Sequence, residues 1–283
     1  MKEDSKIPVY QAELAPPEFK RLSEFIMGEY GIKMPPEKRI MLQSRLQRRL
    51  KALQLTSFKE YVDFVFSPQG QVEEVIHMMD VVSTNKTDFF RESTHFDFLL
   101  SDALPDLWKE GNKMINLLSA GCSSGEEPYT IAITLSEFKE KHPGFDFTIT
   151  ASDLSTKMLN TAARGIYAEE RVNEIPHAIK VKYFLRSKNR EDKKVRVIPE
   201  LRKKVEFYRQ NLLFLPTEVK PKYSIIFCRN VLIYFDRDNQ YTILSRLCRQ
   251  LKPEGYLILG HSESLTGFEL PVVQLKPTVF KKL

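Results

Sequence analysis

One stretch constrains this chain more than any other: an apolar run stops at a small-residue turn and continues as a helix that opens with two carboxylates, Leu117-Leu118-Ser119-Ala120-Gly121-Cys122-Ser123-Ser124-Gly125-Glu126-Glu127-Pro128. Residues 114–118 predict a buried parallel strand, the glycines let backbone approach a ligand closely, and residues 129–135 supply the helix. A phosphate is drawn to the N–H groups at a helix N-terminus, but Glu126 and Glu127 repel it, and no Lys follows the glycine as a phosphate loop requires. The helix start therefore suits an uncharged or cationic partner, and a nucleoside bearing a sulfonium fits better than ATP or NAD. Strand-to-helix glycine turns also arise for packing alone, so the rest of the chain has to decide.

Residues 147–153 form a β-branched strand with Asp153 at its carboxyl end, followed by a helix-like segment from Ser155. An acid at a second strand tip can accept hydrogen bonds from both ribose hydroxyls. Its alternative duty is to cap the next helix, a role Ser155 can fill instead. A third strand, residues 205–210, ends at Asn211-Leu212, where an amide and a backbone group can read a base edge; a fourth, residues 223–227, ends at Cys228-Arg229-Asn230. Ligands of open parallel sheets collect at such ends.

Five segments together, Thr84-Asn85-Lys86-Thr87-Asp88-Phe89-Phe90-Arg91-Glu92, Gly125-Glu126-Glu127-Pro128, Ala151-Ser152-Asp153, Phe227-Cys228-Arg229-Asn230-Val231-Leu232-Ile233-Tyr234-Phe235 and Gly260-His261-Ser262-Glu263, resemble the CheR family of chemotaxis receptor methyltransferases. The likeness runs from about Phe19 almost to the last residue, with the motifs in order. It implies an α/β fold: an S-adenosylmethionine-dependent methyltransferase (Rossmann-like) sheet in residues 84–283, a small N-terminal all-helical domain in residues 1–83, and a small antiparallel β insertion at about 181–207 that helps to dock receptors. It implies a protein-glutamate O-methyltransferase that uses S-adenosyl-L-methionine, releases S-adenosyl-L-homocysteine, and acts on the cytoplasmic helices of methyl-accepting chemoreceptors. Carried over position by position, Asn85, Thr87, Arg91, Glu127, Asp153, Asn211, Leu212, Cys228, Arg229 and Asn230 would contact the cofactor, with Arg91 and Tyr234 beside the transferred methyl.

A glutamate carboxylate is ionised at pH 7 and can attack a sulfonium methyl without a general base, so the protein has mainly to place it. The Arg91 guanidinium and the Tyr234 phenol are suitable donors for that. Their structural alternatives are an ion pair for Arg91 and cover of the sheet edge for Tyr234.

Residues 17–82 are helical by pattern: Phe19, Leu22, Phe25 and Ile26, then Leu42, Leu46, Leu50 and Leu53, then Phe58, Tyr61, Val62 and Val65. Pro35-Pro36 begins the second helix, Thr56-Ser57 caps the third, and residues 72–79 make a fourth. Between Lys38 and Lys59 there are seven cations and no acid. The four leucines of that helix span about 80° of arc, with Arg45, Arg48, Arg49 and Lys51 along one flank and the far side. In a chain of net charge +6 and pI near 9.0, this face is assigned to docking an acidic receptor helix, Arg45 and Lys51 leading; a solvated face is the alternative. An RNA methyltransferase would pair such a surface with stacking aromatics, and only Phe58 is present there, so nucleic acid is not expected. A catalytically silent binding module would have lost Asp153, Asn211, Arg229 or Tyr234, and all are present.

At 283 residues and 42% hydrophobic the chain can bury one sizeable core and a satellite. No run nears the ~20 apolar residues of a membrane span, and Met1-Lys2-Glu3-Asp4-Ser5-Lys6 lacks a signal-peptide core, so a cytoplasmic protein with no direct membrane insertion is expected. Cys122, Cys228 and Cys248 are far apart and the five histidines show no ligand spacing, so neither disulfides nor a metal site is expected, and His261 reads as a turn residue near the site.

Overall fold

A computed structural model describes residues 12–283 apart from Val219 and Pro221. The reading of Met1 to Lys6 lies outside the described residues. Two compact units divide between Thr84 and Asn85.

The first unit holds helices α1 (Pro16–Tyr30), α2 (Arg39–Leu53), α3 (Phe58–Val65) and α4 (Pro68–Val82). Its core takes Phe19, Leu22, Ile26, Leu42, Leu46, Leu50, Tyr61 and Val65 from the expected stripes; Phe25 and Leu53 stop half-buried at the margin. Pro36–Lys38 is a single 3-10 turn, so α2 starts three residues later than Pro36. Ser57 caps α3 by accepting from Glu60 N at 3.2 Å, and Glu60 returns a carboxylate to Thr56 N at 2.9 Å. Gly70 is forced by packing: a Cβ there would sit 1.9 Å from Phe64 O. Among the described residues of this unit one charged side chain is buried. Glu74 on α4 accepts from Arg49 Nε at 2.8 Å, from Arg49 Nη2 at 2.6 Å and from the Tyr61 hydroxyl at 2.9 Å.

The second unit is built on β1 (Met114–Ala120), β2 (Asp146–Asp153), β3 (Ile166–Ala168), β4 (Phe184–Arg186), β5 (Lys194–Val197), β6 (Val205–Arg209), β7 (Tyr223–Cys228), β8 (Leu251–Leu259), β9 (Val272–Lys276) and β10 (Val279–Lys282). Seven of them form one sheet in the order β6-β2-β1-β7-β8-β10-β9, parallel from β6 to β8 and antiparallel at β10 and β9. The register places Leu117 beside both Ile149 and Ile225, which brings the carboxyl ends of β2, β1 and β7 level. β8, β9 and β10 come in addition to the four strands read from sequence. In β8 the Lys252-Pro253-Glu254-Gly255 stretch, with Glu254 at φ 59°, imitates a turn.

The antiparallel insertion is the three-stranded sheet β3-β5-β4. It begins at Ile166, upstream of residue 181, and Val205–Arg209 belongs to the main sheet, parallel to β2. A three-residue strand directly after a glycine-capped helix offers too short a run for periodicity to reveal. The three cysteines are buried and unbridged. Among the described residues no helix is long and apolar enough to cross a membrane.

Candidate active site

The turn after β1 folds back on the end of β2. Gly121 N and Cys122 N both donate to Ser152 O, at 2.7 and 2.9 Å. Gly121 and Gly125 have φ of 82° and 95°, and a Cβ on Gly121 would meet the Val231 side chain at 2.3 Å, so this turn needs glycine for both conformation and space. Asp153 is buried at the tip of β2; its two oxygens accept Ser123 N and Ser155 N, each at 2.8 Å. The capping of helix Thr156–Arg164 falls to Ser155, whose Oγ accepts Met158 N at 3.2 Å. Asp153 thus holds the glycine turn against the strand tip.

Arg229, just past β7, is the electrostatic centre of the unit, with its side chain 2% exposed. Its guanidinium donates to Glu127 Oε2 at 3.3 Å, to Glu92 Oε2 at 3.0 Å and to Arg91 O. Glu127 also takes Ser119 Oγ at 2.7 Å. Burial pushes the Glu127 carboxyl up, against the pull of Arg229. For Glu92 burial is outweighed by Arg229 and Asn230, which hold it below the usual carboxylate range. His95, buried and bonded through Nε2 to Thr278 Oγ1 at 2.9 Å, is pushed down to about 4 by burial and by Arg229, so its ring is neutral. Glu263, also buried, accepts four backbone amides: Gly260 N (2.7 Å), Asn230 N (2.9 Å), Val231 N (2.9 Å) and Leu232 N (2.7 Å). That carboxylate fixes the loop leading to the one-turn helix Leu232–Tyr234.

Segment 85–91 lies against the glycine turn: Ser123 Oγ donates to Asn85 O at 3.0 Å, and Phe90 N donates to Thr130 Oγ1 at 3.1 Å. Phe90, Glu92, Ser123 and Asn230 all have φ between 48° and 56°. Left-handed backbone at non-glycine residues is costly and persists where the surroundings over-determine it; here all four border the same turn, segment and loop.

The residues singled out from sequence are placed as follows. Asn85, Thr87 and Arg91 share the 85–91 segment, with Arg91 Nη1 donating to Lys86 O at 3.0 Å. Asn211 follows β6 and accepts Leu213 N at 3.0 Å, with Leu212 buried next to it. Cys228 is the buried last residue of β7, and burial raises its thiol well above the usual range. Asn230 Nδ2 donates to Glu92 Oε1 at 3.2 Å, and Tyr234 is half-buried. Arg45, Arg48, Arg49 and Lys51 stand on α2, in the other unit. Arg45 donates to Val82 O, Ser83 O and Thr84 Oγ1, and Arg49 is committed to Glu74, whereas Arg48 and Lys51 are exposed. Neither acid at the helix start stands open: Glu127 is paired with Arg229, and Glu126 with Arg171 at 2.6 Å.

Glu92, His95, Glu263 and Arg171 were not picked out as site residues. Glu92 and Glu263 sit inside motifs already recognised; Arg171 carries no local signal, since its partners lie 45 and 83 residues away. Glu92, His95 and His261 bring possible ligand atoms within 4.8 Å of one another. The Glu92 oxygens are already taken by Arg229, Asn230 and His261 N, so the group is a hydrogen-bonded hub.

Parallel strand tips carrying an acid, a glycine turn and an asparagine after the third strand define a nucleoside-binding methyltransferase sheet. Residues 85–280 match the model of the CheR methyltransferase SAM-binding domain, and residues 17–82 that of the CheR methyltransferase all-alpha domain. The chain is 38% identical over 270 residues to a chemotaxis protein methyltransferase of Borreliella burgdorferi, covering 94% of each chain. It is 37% identical to chemotaxis protein methyltransferase 2 of Pseudomonas aeruginosa, over 93% of this chain and 92% of that one. With the chemotaxis protein methyltransferase of Escherichia coli strain K12 it shares 38% identity, over 89% and 85%. The chain belongs to the CheR methyltransferase family, and its cofactor is S-adenosylmethionine. The donor set fits that group: among the described residues the carboxyls of Glu126, Asp153 and Glu263 are buried and those of Glu92 and Glu127 are 13% and 12% exposed, and they outnumber the buried guanidinium of Arg229, which suits a ligand whose ammonium and sulfonium leave it net positive.

Proposed function

We propose that this chain transfers a methyl group from S-adenosylmethionine to glutamate side chains on the cytoplasmic helices of chemoreceptors, forming the methyl esters used in chemotactic adaptation. The observation that carries the reading is coverage: both the helical domain and the SAM-binding domain match the family, and relatives that are chemotaxis methyltransferases align over nearly their whole length.

Asn85, Thr87, Asp153, Asn211, Leu212, Cys228, Arg229 and Asn230 would hold the cofactor, with Glu127 beside its charged portion. When bound, it supplies an electrophilic methyl on a sulfonium. The acceptor carboxylate is anionic at neutral pH, so no residue has to remove a proton. Arg91 and Tyr234 orient that carboxylate through a guanidinium and a hydroxyl, and a half-buried setting limits its solvation. Incubating the intact chain with labelled S-adenosylmethionine and a receptor cytoplasmic fragment should give base-labile label on glutamates. Label that resists base, or that survives replacement of every candidate glutamate, sinks the reading.

Tyr234→Phe should leave the dissociation constant for S-adenosylhomocysteine within about threefold while lowering kcat about tenfold or more, because only the hydroxyl is lost. Calorimetry and single-turnover methylation separate the two quantities. A wild-type rate would assign Tyr234 to covering the sheet edge.

For receptor docking on α2 we favour Arg48 and Lys51, which are exposed, over Arg45 and Arg49, whose guanidiniums have acceptors within the helical unit. Reversing both exposed cations to Glu should raise KM for receptor about fivefold at low salt and less at high salt, with cofactor affinity unchanged. Methylation kinetics at two ionic strengths check it; an unaltered KM makes this face a solvated surface.

A further inference from the structure

One guanidinium at the edge of the site joins three stretches of chain that are remote in sequence. Arg171 stands in the short turn Glu169–Val172, between β3 and β4. Its Nη2 donates to Glu126 Oε1 at 2.6 Å and to Thr87 O, and its Nη1 donates to Asp88 Oδ1 at 2.9 Å. Glu126 opens the helix after the glycine turn, with its side chain 2% exposed, and takes Ser124 Oγ on its other oxygen at 2.6 Å. Apolar contacts run alongside. The Tyr167 hydroxyl donates to Ser124 O at 2.7 Å while its ring meets Phe89 edge-on at 5.0 Å, and Phe184 of β4 meets Phe89 at 5.3 Å. The small sheet therefore grips both the glycine turn and the 85–91 segment.

We infer that Arg171 is a positioning residue for the methyl donor: it latches the 85–91 segment to the glycine turn, so that Asn85, Thr87 and Arg91 are presented to the cofactor already arranged. The inference rests on the assignment of those three residues to the cofactor site. Residues 84–88 have no regular secondary structure, so their order depends on side-chain ties. A segment ordered only part of the time reduces apparent affinity in proportion to the fraction competent. Saturating cofactor restores the competent state, so the loss falls on KM and not on kcat. Arginine is required because its planar fork reaches a carboxylate on each side and a carbonyl between them, whereas lysine can serve only part of that set.

The test uses the intact chain, with calorimetry of S-adenosylhomocysteine and steady-state methylation of receptor fragments, on Arg171→Gln, Arg171→Lys, Asp88→Asn and the double variant Arg171→Gln with Asp88→Asn. Arg171→Gln should raise Kd and KM for the cofactor together by about tenfold, with kcat within about twofold, and Arg171→Lys should fall between it and the wild type. Asp88→Asn should cost less alone and nothing further in the double variant, because both remove the same tie. An unchanged Kd in Arg171→Gln, whatever happens to its melting temperature, overturns the inference; so does full additivity with Asp88→Asn. If Arg171→Gln does not fold, Asp88→Asn still decides, since Asp88 is half exposed and should weaken cofactor binding without unfolding the chain; unchanged binding overturns the latch. Thr87→Ala separates the two layers. Weaker binding in Thr87→Ala but not in Arg171→Gln rejects the latch and keeps the segment in the cofactor site, while no effect from either rejects both.

Discussion

Glu74→Ala should destabilise the helical unit by about 3–5 kcal/mol, the range for leaving one partner of a buried ion pair uncompensated. The pair is bidentate, at 2.8 and 2.6 Å from Arg49, and the Tyr61 hydroxyl donates to the same carboxylate from a fully buried ring. Removing the carboxylate strands a guanidinium that is only 19% exposed and a hydroxyl with no exposed surface. Urea denaturation followed by far-UV circular dichroism measures the loss. The single tryptophan, Trp108, lies in the other unit, so its fluorescence reports whether the two transitions separate. Replacing Arg49 and Glu74 together by Met and Leu should recover part of the deficit, because no charge is then left alone while the Tyr61 hydroxyl still loses its acceptor. A loss below about 1 kcal/mol for Glu74→Ala would show that water reaches the pair.

Arg229→Met should be at least as damaging in the catalytic unit, by about 3–5 kcal/mol, and should abolish methylation. The substitution keeps volume but leaves Glu92 and Glu127 facing each other without a counter-charge and frees the Arg91 carbonyl. The effect has a pH signature. In the wild type Arg229 holds Glu92 below the usual range, a stabilisation present above the unfolded-state value of about 4.3 and lost as pH falls through the folded one. In the variant both carboxyls are raised, which favours the folded state when they are protonated and penalises it as pH rises above the unfolded-state value. Between pH 7 and pH 5 only the variant's raised carboxyls respond, so the deficit should narrow over that interval, and the loss of the wild-type Glu92 contribution narrows it further only below about pH 4.3. Parallel stability curves for the two proteins across that interval would remove Arg229 from its role as counter-ion.

Legibility followed the range of the interactions. The four parallel strands, the glycine turn and the Ser57 and Ser155 caps were readable because strand period, turn chemistry and capping are written within a few residues of one another. The Ser155 amide on Asp153 belongs to the same local pattern, whereas the Ser123 amide reaches Asp153 from 30 residues upstream. What the sequence hid depends on distant partners. The cations of α2 look alike in a helical projection, yet α4 supplies an acid for Arg49 and carbonyls at the end of α4 receive Arg45, so half of the basic flank faces inward to acceptors that no window around it contains. Ile166–Ala168 becomes a strand only when Lys194–Val197 arrives beside it. The sequence around Glu126 and Glu127 contains no cation to pair with them, because Arg171 and Arg229 lie 45 and 102 residues further along.

Glu263 closes a place where an anion could otherwise lodge. Four converging backbone amides make the kind of concavity that elsewhere captures a foreign anion. In this protein that nest is filled from within by a carboxylate of the same chain, so an anion from outside finds no amide seat beside Asn230 and Leu232. Any anion recognised at this rim has therefore to be held by side chains, which can adjust to differing surroundings while the backbone stays fixed.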